Sequence, residues 1–169
     1  LDGRFRYLDP SNGMERSEQY VQPEPRKGSA QDVLIPLARK LTRIGDSLIV
    51  FRETKSETRR VAAYIAENLS LPAATAALEE LPQTDPSGAS LALQKSLHRG
   101  VAFHNADLTQ RERQVIERAF RNSGEVKVLV ATTTLAMGVN TPASTVAIAG
   151  LEHPGDEPYS VAEYKNMVG

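Results

Sequence analysis

The sequence of 169 residues contains no cysteine, which excludes disulfides, thiolate metal sites and cysteine nucleophiles. Its three histidines, His98, His104 and His153, lack the spacing of metal ligands, so we expect no metal site. No apolar run approaches the roughly 18 residues of a membrane span, and no N-terminal signal peptide is visible. These absences predict a cytoplasmic protein that has no membrane partner.

The sequence also lacks the residues that usually cleave a phosphate. None of its eleven glycines begins the G-x-x-x-x-G-K-[ST] pattern, which holds the phosphates of a nucleotide. No predicted strand ends in an acidic pair that could hold Mg²⁺, and we expect Asp156-Glu157 to form a turn. A G-x-S-x-G elbow and a convincing serine–histidine–acid set are missing too. We therefore expect no catalytic residue in this chain and no phosphate cleavage by the chain alone.

The composition is that of a globular domain with a buried core, since 40% of the residues are hydrophobic and 24% are charged. The net charge of −1 is too small for the chain to coat nucleic acid by bulk charge. The charge is uneven, because residues 39–60 hold seven basic residues against three acids. Solvated helix faces are the simplest explanation of that cluster when it is taken alone.

Hydrophobic periodicity predicts alternating helices and strands after a turn-rich start. Residues 1–28 are predicted to be a connector with one possible short hairpin. Helices are predicted over 31–45, 54–69 and 109–124, two more between 70 and 100, and strands over 47–51, within 100–108, and over 126–131 and 145–149. Thr109 and Glu112 have the spacing of a capping box. Apolar strands separated by helices indicate an α/β fold, with a parallel sheet covered on both faces.

Polar residues follow the predicted strands at the points where the strands end. These points are residues 51–54, 103–105 and 131–133, which contain threonines, an arginine and a histidine. In parallel α/β sheets, ligands bind outside the carboxyl ends of the strands. Hydroxyls and free N–H groups at a helix start bind anions well. The pattern therefore suits the phosphates of a nucleotide or of a nucleic-acid backbone.

Four segments resemble motifs of one enzyme family. The stretch SLIVFRETKSET (47–58) looks like helicase motif IV, GVAFHNADLTQRERQVIERAF (100–120) like the block that follows it, VLVATTTLAMGVNTPA (128–143) like motif V, and EYKNMVG (163–169) like the entry to motif VI. By their order and spacing, the sequence resembles the second RecA-like domain of superfamily 2 helicases of the DEAD/DEAH type, most closely the Ski-like branch. The resemblance implies a RecA-like domain over 29–169, truncated at the start of motif VI.

The sequence departs from the family pattern at three positions. Asn105 and Asp107 stand where the family prefers His and Gly, and Asn166 stands where Gln is common. We expect the first two departures to alter how the loop after that strand meets nucleic acid. We expect the third to be a subfamily choice.

The resemblance assigns binding roles to ten residues. Six would contact the nucleic-acid backbone, namely Arg52, Thr54, Lys55, His104, Thr132 and Thr133, and four would face the nucleotide in the interdomain cleft, namely Gln110, Arg113, Gly138 and Asn140. His104 is expected to orient its loop by hydrogen bonding rather than to act as an acid or base.

Simpler explanations stay open for most of these ten residues. Thr132 could cap the helix after it, Gly138 could be an ordinary turn glycine, and Asn140 could form an Asx turn. The remaining polar residues, other than His104, could belong to solvated helix starts and surfaces.

The resemblance implies a motor that moves 3′ to 5′ along single-stranded or tailed duplex nucleic acid, either DNA or RNA. ATP and Mg²⁺ would be held mainly by the first RecA-like domain of the same chain, while this domain forms the other wall of the cleft. The sequence starts at Leu1 and stops inside a predicted helix, so we expect it to be a piece of a longer protein. The alternatives are a RecA-like module that binds nucleic acid or nucleotide without motor activity, and a free-standing nucleotide-binding regulator.

Overall fold

The computed structural model describes residues 2–24, 28, 30–82, 86–133, 143–148, 152–153, 157–158 and 160–168. In chain order the elements are β1 (Arg4–Leu8), β2 (Glu15–Gln19), α1 (Gln31–Arg43), β3 (Leu48–Phe51), α2 (Lys55–Asn68), α3 (Thr75–Glu80), α4 (Gly88–Leu97), β4 (Val101–His104), α5 (Gln110–Arg118) with a π-helical continuation (Ala119–Ser123), β5 (Val128–Ala131), β6 (Thr145–Ile148), β7 (Glu152–His153), β8 (Glu157–Pro158) and α6 (Val161–Val168). Most of these elements lie where the hydrophobic periodicity predicts them.

The central sheet contains four parallel strands in the order β4-β5-β3-β6. Every residue of β3, β4 and β5 is buried. Successive residues of a strand point to opposite faces of its sheet, so a fully buried strand has to be covered on both faces. This arrangement confirms the predicted α/β fold, and it is that of a RecA-like domain.

Helix α1 packs one apolar stripe into the core, formed by Leu34, Ala38 and Leu41. Pro36 lies inside the helix and has no N–H, so it cannot bond to the carbonyl of Asp32. The backbone N–H of Glu24 donates to that carbonyl instead, at 2.8 Å. The proline thus creates the acceptor that attaches the end of the connector to the domain.

Strand β5 begins at Val128, later than the predicted start at Val126, although Val126 is fully buried. The neighbouring strand β4 does not extend back to meet these residues, because the chain turns at Gly100 with a φ of +62°. A Cβ at Gly100 would lie 2.7 Å from the carbonyl oxygen of Pro72, so the turn requires glycine. Lys127 closes the ladder by donating its N–H to the Gly100 carbonyl at 3.0 Å.

Strands β1 and β2 form an antiparallel hairpin within residues 1–28, as predicted. Both strands are largely exposed, and Phe5 and Leu8 are among the large apolar side chains that face solvent. A second pair, β7 and β8, includes Glu157, which is therefore in a strand and not in the predicted turn. None of the described helices is long and apolar enough to cross a membrane.

Candidate nucleic-acid interface

The carboxyl ends of the three buried strands lie side by side. Ala131 of β5 pairs with Phe51 of β3 on one side and with His104 of β4 on the other. The next N–H groups continue this ladder, since Arg52 donates to the carbonyl of Ala131 at 2.9 Å and Thr132 donates to that of His104 at 3.2 Å. Residues 52–55, 104–107 and 132–133 therefore form one continuous border, which we call the strand-end edge.

Thr132 stands at the end of the middle strand and is 8% exposed. Its backbone N–H is used in the ladder to His104 and is therefore not available to a phosphate. Thr133 is the next residue and is half-buried. Gly138 and Asn140 lie outside the described residues, as does the stretch that Thr132 could cap.

Helix α2 starts at the strand-end edge with a capping box. The hydroxyl of Thr54 accepts the N–H of Glu57 at 3.2 Å, and the carboxylate of Glu57 accepts the N–H of Thr54 at 3.3 Å. The same carboxylate pairs with the guanidinium of Arg52 at 2.5 Å. Burial by itself would raise the pKa of Glu57. The hydrogen bond and the positive charge of Arg52, together with hydrogen bonds from Thr54, nevertheless hold this pKa below its ordinary value. Two of the predicted phosphate contacts, Arg52 and Thr54, are thus engaged with Glu57.

Lys55, the first residue of α2, pairs with an acid from the loop after β4. Its ammonium lies 2.9 Å from one carboxylate oxygen of Asp107, and the guanidinium of Arg59 lies 3.9 Å from the other. Asp107 is one of the residues at which the sequence departs from the family pattern. The acid and both basic residues form a partly exposed cluster at the strand-end edge.

Asn105, the second such residue, is 1% exposed and joins the same loop to α2. Its amide nitrogen donates to the hydroxyl of Thr58 at 2.7 Å and to the carbonyl of Lys55 at 3.1 Å. Its amide oxygen accepts the N–H of Asp107 at 3.0 Å. We call these three hydrogen bonds the Asn105 clamp. Sequence reasoning missed the clamp, and only the unusual residue types at 105 and 107 pointed to this loop.

His104 is buried at the end of β4, and its Nε2 lies 2.8 Å from a carboxylate oxygen of Glu117 on α5. Burial lowers the pKa of the imidazole below its ordinary value, although the hydrogen bond to Glu117 acts in the opposite direction. Its Nδ1 is buried and has no hydrogen-bond partner within the described part of the chain. This environment favours the neutral ring and suits the predicted orienting role, but it makes a direct phosphate contact by His104 harder.

Helix α5 starts from the loop after β4 and has its own capping box, formed by Thr109 and Glu112 as predicted. Gln110, its first residue, is exposed. Arg113 is half-buried, and its guanidinium donates to the carbonyl of Leu108 at 3.0 Å. Two of the four residues predicted to face the nucleotide, Gln110 and Arg113, are thus within one turn of each other.

These features define the chain as a RecA-like α/β domain with a polar border at the carboxyl ends of its strands. The chain matches the model of the helicase conserved C-terminal domain family over residues 30–169, and it belongs to that family. This match and the relatives below confirm the predicted second, C-terminal RecA-like domain of a Ski-like superfamily 2 helicase.

Three similar proteins represent the relatives. The chain is 36% identical over 154 residues to ATP-dependent DNA helicase Hel308 of Pyrobaculum calidifontis, and the match covers 85% of this chain and 22% of that protein. It is 32% identical over 168 residues to DNA polymerase theta of Mus musculus, and the match covers 88% of this chain and 6% of that protein. It is 32% identical over 127 residues to ATP-dependent DNA helicase homolog MER3 of Arabidopsis thaliana, and the match covers 71% of this chain and 11% of that protein. The chain therefore spans less than a quarter of the length of each of these relatives.

Proposed function

We propose that this domain is one half of an ATP-dependent motor and that its strand-end edge contacts the backbone of a single nucleic-acid strand. The observation that carries the proposal is the register of β3, β4 and β5, which brings three polar strand ends to one border. A single nucleic-acid strand that lies across this border would meet hydroxyl and cationic groups in a row. Such groups bind phosphates without reading the bases, so the contact would be independent of sequence.

The hydroxyls of Thr132 and Thr133 are the contacts that we place at the centre of this border. Thr132 follows the middle strand, and its flanking strands contribute Arg52 on one side and the His104 loop on the other. Lys55 would add a cation at the start of α2. Thr54 would contribute through its position at the helix start, because its hydroxyl is already part of the capping box.

We place the nucleotide on the side of the edge where α5 begins. Gln110 and Arg113 offer amide and guanidinium donors, which suit the anionic phosphates of ATP. Gly138 and Asn140 would complete this wall. The described residues contain no group of three His, Asp or Glu side chains that could hold a metal ion, so we assign Mg²⁺ to the first RecA-like domain. Hydrolysis of ATP between the two domains would drive cleft closure and opening, and so movement along the strand.

DNA is the substrate that we favour, in single-stranded or tailed duplex form, because two of the relatives described above are named as DNA helicases. The direction that we propose is 3′ to 5′. We further propose that the motor works in the cytoplasm and that its second wall is the first RecA-like domain of the same polypeptide.

A comparison of ATP turnover tests the motor. The 169-residue chain should release no phosphate from ATP above background, with or without single-stranded DNA, because it has no phosphate loop. The full-length protein should show turnover that DNA stimulates. In that protein, Gln110→Ala or Asn140→Ala should lower stimulated turnover and leave nucleotide-free DNA binding nearly unchanged. Gln114→Ala, an exposed glutamine on the same helix, is the matched control.

Two results would contradict this proposal. Stimulated turnover by the 169-residue chain would mean that it contains a complete active site. A full-length protein that binds DNA but never hydrolyses ATP would identify a RecA-like binding module without motor activity.

A further inference from the structure

Asp107, the acid in the cluster at the start of α2, pairs with cations that the proposed interface would offer to a phosphate. The carboxylate of Asp107 lies against the two cations that this helix presents beside the strand-end edge, with one oxygen toward Lys55 and the other toward Arg59. Like a phosphate, a carboxylate offers several acceptor oxygens and negative charge to Lys and Arg donors. Lys55 and Arg59 cannot pair fully with Asp107 and with a nucleic-acid phosphate at the same time.

The ion pairs of Asp107 are not what holds its loop in place. The Asn105 clamp already joins the loop to α2 through one buried and one partly buried hydrogen bond. Its third hydrogen bond comes from the backbone N–H of Asp107 and does not involve the carboxylate. The ion pairs are more exposed, since the side chains of Lys55, Arg59 and Asp107 are 54%, 39% and 29% exposed. Ion pairs of this kind contribute little to stability. The clamp therefore fixes the backbone of Asp107, while the carboxylate contributes mainly local charge.

We propose that Asp107 is an internal competitor of the nucleic-acid backbone, which a phosphate has to displace from Lys55 and Arg59 when a strand binds. The inference rests on the proposed binding of nucleic acid at the strand-end edge and adds a regulatory residue to that site. Competition of this kind weakens the hold on the strand and lowers the cost of releasing it. A motor that moves along a strand has to release phosphates repeatedly, so an intramolecular acceptor for the vacated cations assists each release.

The test is a salt titration of DNA binding by the full-length protein without nucleotide, with fluorescence anisotropy of a labelled oligothymidylate as the readout. Asp107→Asn keeps the size of the side chain and removes its charge. This variant should bind up to about fivefold more tightly at low salt, as expected for the loss of an exposed charge pair. The slope of log affinity against log salt should steepen by about 0.7, the value for one added single-strand phosphate contact.

Two further variants separate local competition from other effects. Glu79→Gln makes the same change in net charge on α3, at an exposed residue, and should leave the affinity unchanged. Lys55→Gln should weaken binding more in the Asp107→Asn background than in the natural protein, because only there is the cation freed for the strand. The thermal unfolding midpoint of Asp107→Asn should stay near that of the natural protein, because the Asn105 clamp is intact.

The possible results separate the competitor role of Asp107 from the proposed nucleic-acid interface itself. If the natural protein binds and Thr132→Val weakens it, but Asp107→Asn binds equally or less tightly, the competitor is overturned and the proposed function stands. An equal gain with Glu79→Gln would also overturn it, since bulk charge would then explain the change. If neither the natural protein nor Asp107→Asn binds the oligonucleotide, the proposed interface fails and the competitor fails with it.

Discussion

Helices α2 and α5 both begin next to the strand-end edge with the same local device, yet they present different chemistry there. Each starts with a threonine whose hydroxyl accepts the N–H of a glutamate three residues later. At α2 the glutamate also pairs with Arg52. At α5 the corresponding glutamate, Glu112, is 3% exposed and accepts from Thr109. The same capping box is thus built into a network of charges at one helix start and into the core at the other.

Under the proposed function, this difference would let a single motif support two kinds of contact at one border. Around the start of α2, cations are balanced by acids, so a strand of nucleic acid has to compete for them. Around the start of α5, Gln110 and Arg113 provide donors, and Arg113 has no carboxylate partner within the described residues. We therefore assign the first surface to the strand and the second to the nucleotide.

The largest effect on stability should come from Asn105, which joins the loop before α5 to the start of α2. Asn105→Ala removes all three hydrogen bonds of the clamp and leaves the buried hydroxyl of Thr58 with one fewer partner. We expect a loss of about 2–3 kcal/mol in the free energy of unfolding. Urea denaturation of the 169-residue chain measures it, with Asp107→Asn as the control that should change less than about 0.5 kcal/mol. Equal, small losses for both variants would show that the clamp does not hold the loop.

The two capping boxes should contribute differently to the free energy of unfolding. The box with the more buried glutamate, Glu112, should contribute more than the box with Glu57. Thr109→Ala leaves the buried carboxylate of Glu112 with the N–H of residue 109 but without the hydroxyl, so we expect a loss near 2 kcal/mol. Thr54→Ala leaves Glu57 paired with Arg52, so we expect about 1 kcal/mol or less. Urea denaturation of both variants checks this order. A larger loss at Thr54 would mean that the charges around α2 contribute more than burial does at α5.

The smallest effect should be a dependence on pH from His104, which links the end of β4 to α5. Its folded-state pKa is lowered from the ordinary value of 6.5, so the unfolded chain binds more protons in the interval between the two values. Stability should therefore fall by up to about 1 kcal/mol per pH unit as the pH drops through that interval, and level off below the folded pKa. His104→Gln should remove this component. The test is the free energy of unfolding of the natural protein and of His104→Gln, measured from pH 7 to 5. A difference between the two proteins that does not change with pH would contradict the prediction.

The sequence predicted where both helices start and the capping box of α5, but not the capping box of α2. The capping box of Thr109 and Glu112 depends on residues three apart, and the apolar runs of β3 and β5 are visible without any partner. The strand pattern also identified the polar residues that follow β3, β4 and β5, and the register of these strands brings them to one border. Such signals lie within one short segment, so a single sequence is enough to read them.

The contacts that complete the site join distant segments and could not be read in this way. Asn105 meets Thr58 across 47 positions, and Lys55 meets Asp107 across 52. These pairs become neighbours only because α2 packs beside β4, although α2 follows β3 in the chain and β5 lies between the two strands. The order of the strands decides these contacts, and hydrophobic periodicity does not determine that order.

The most direct test of the central claim is the affinity of the full-length protein for single-stranded DNA when Thr132 is replaced. Thr132→Val keeps the shape of the side chain at the end of the middle strand and removes only its hydroxyl. We expect a loss of about 1–2 kcal/mol in binding free energy, toward the lower end of the range for a hydrogen bond to a charged group. The loss should be similar for several oligonucleotide sequences in a salt-titrated assay. Unchanged affinity, or a loss confined to one sequence, would contradict the claim that this edge holds the backbone.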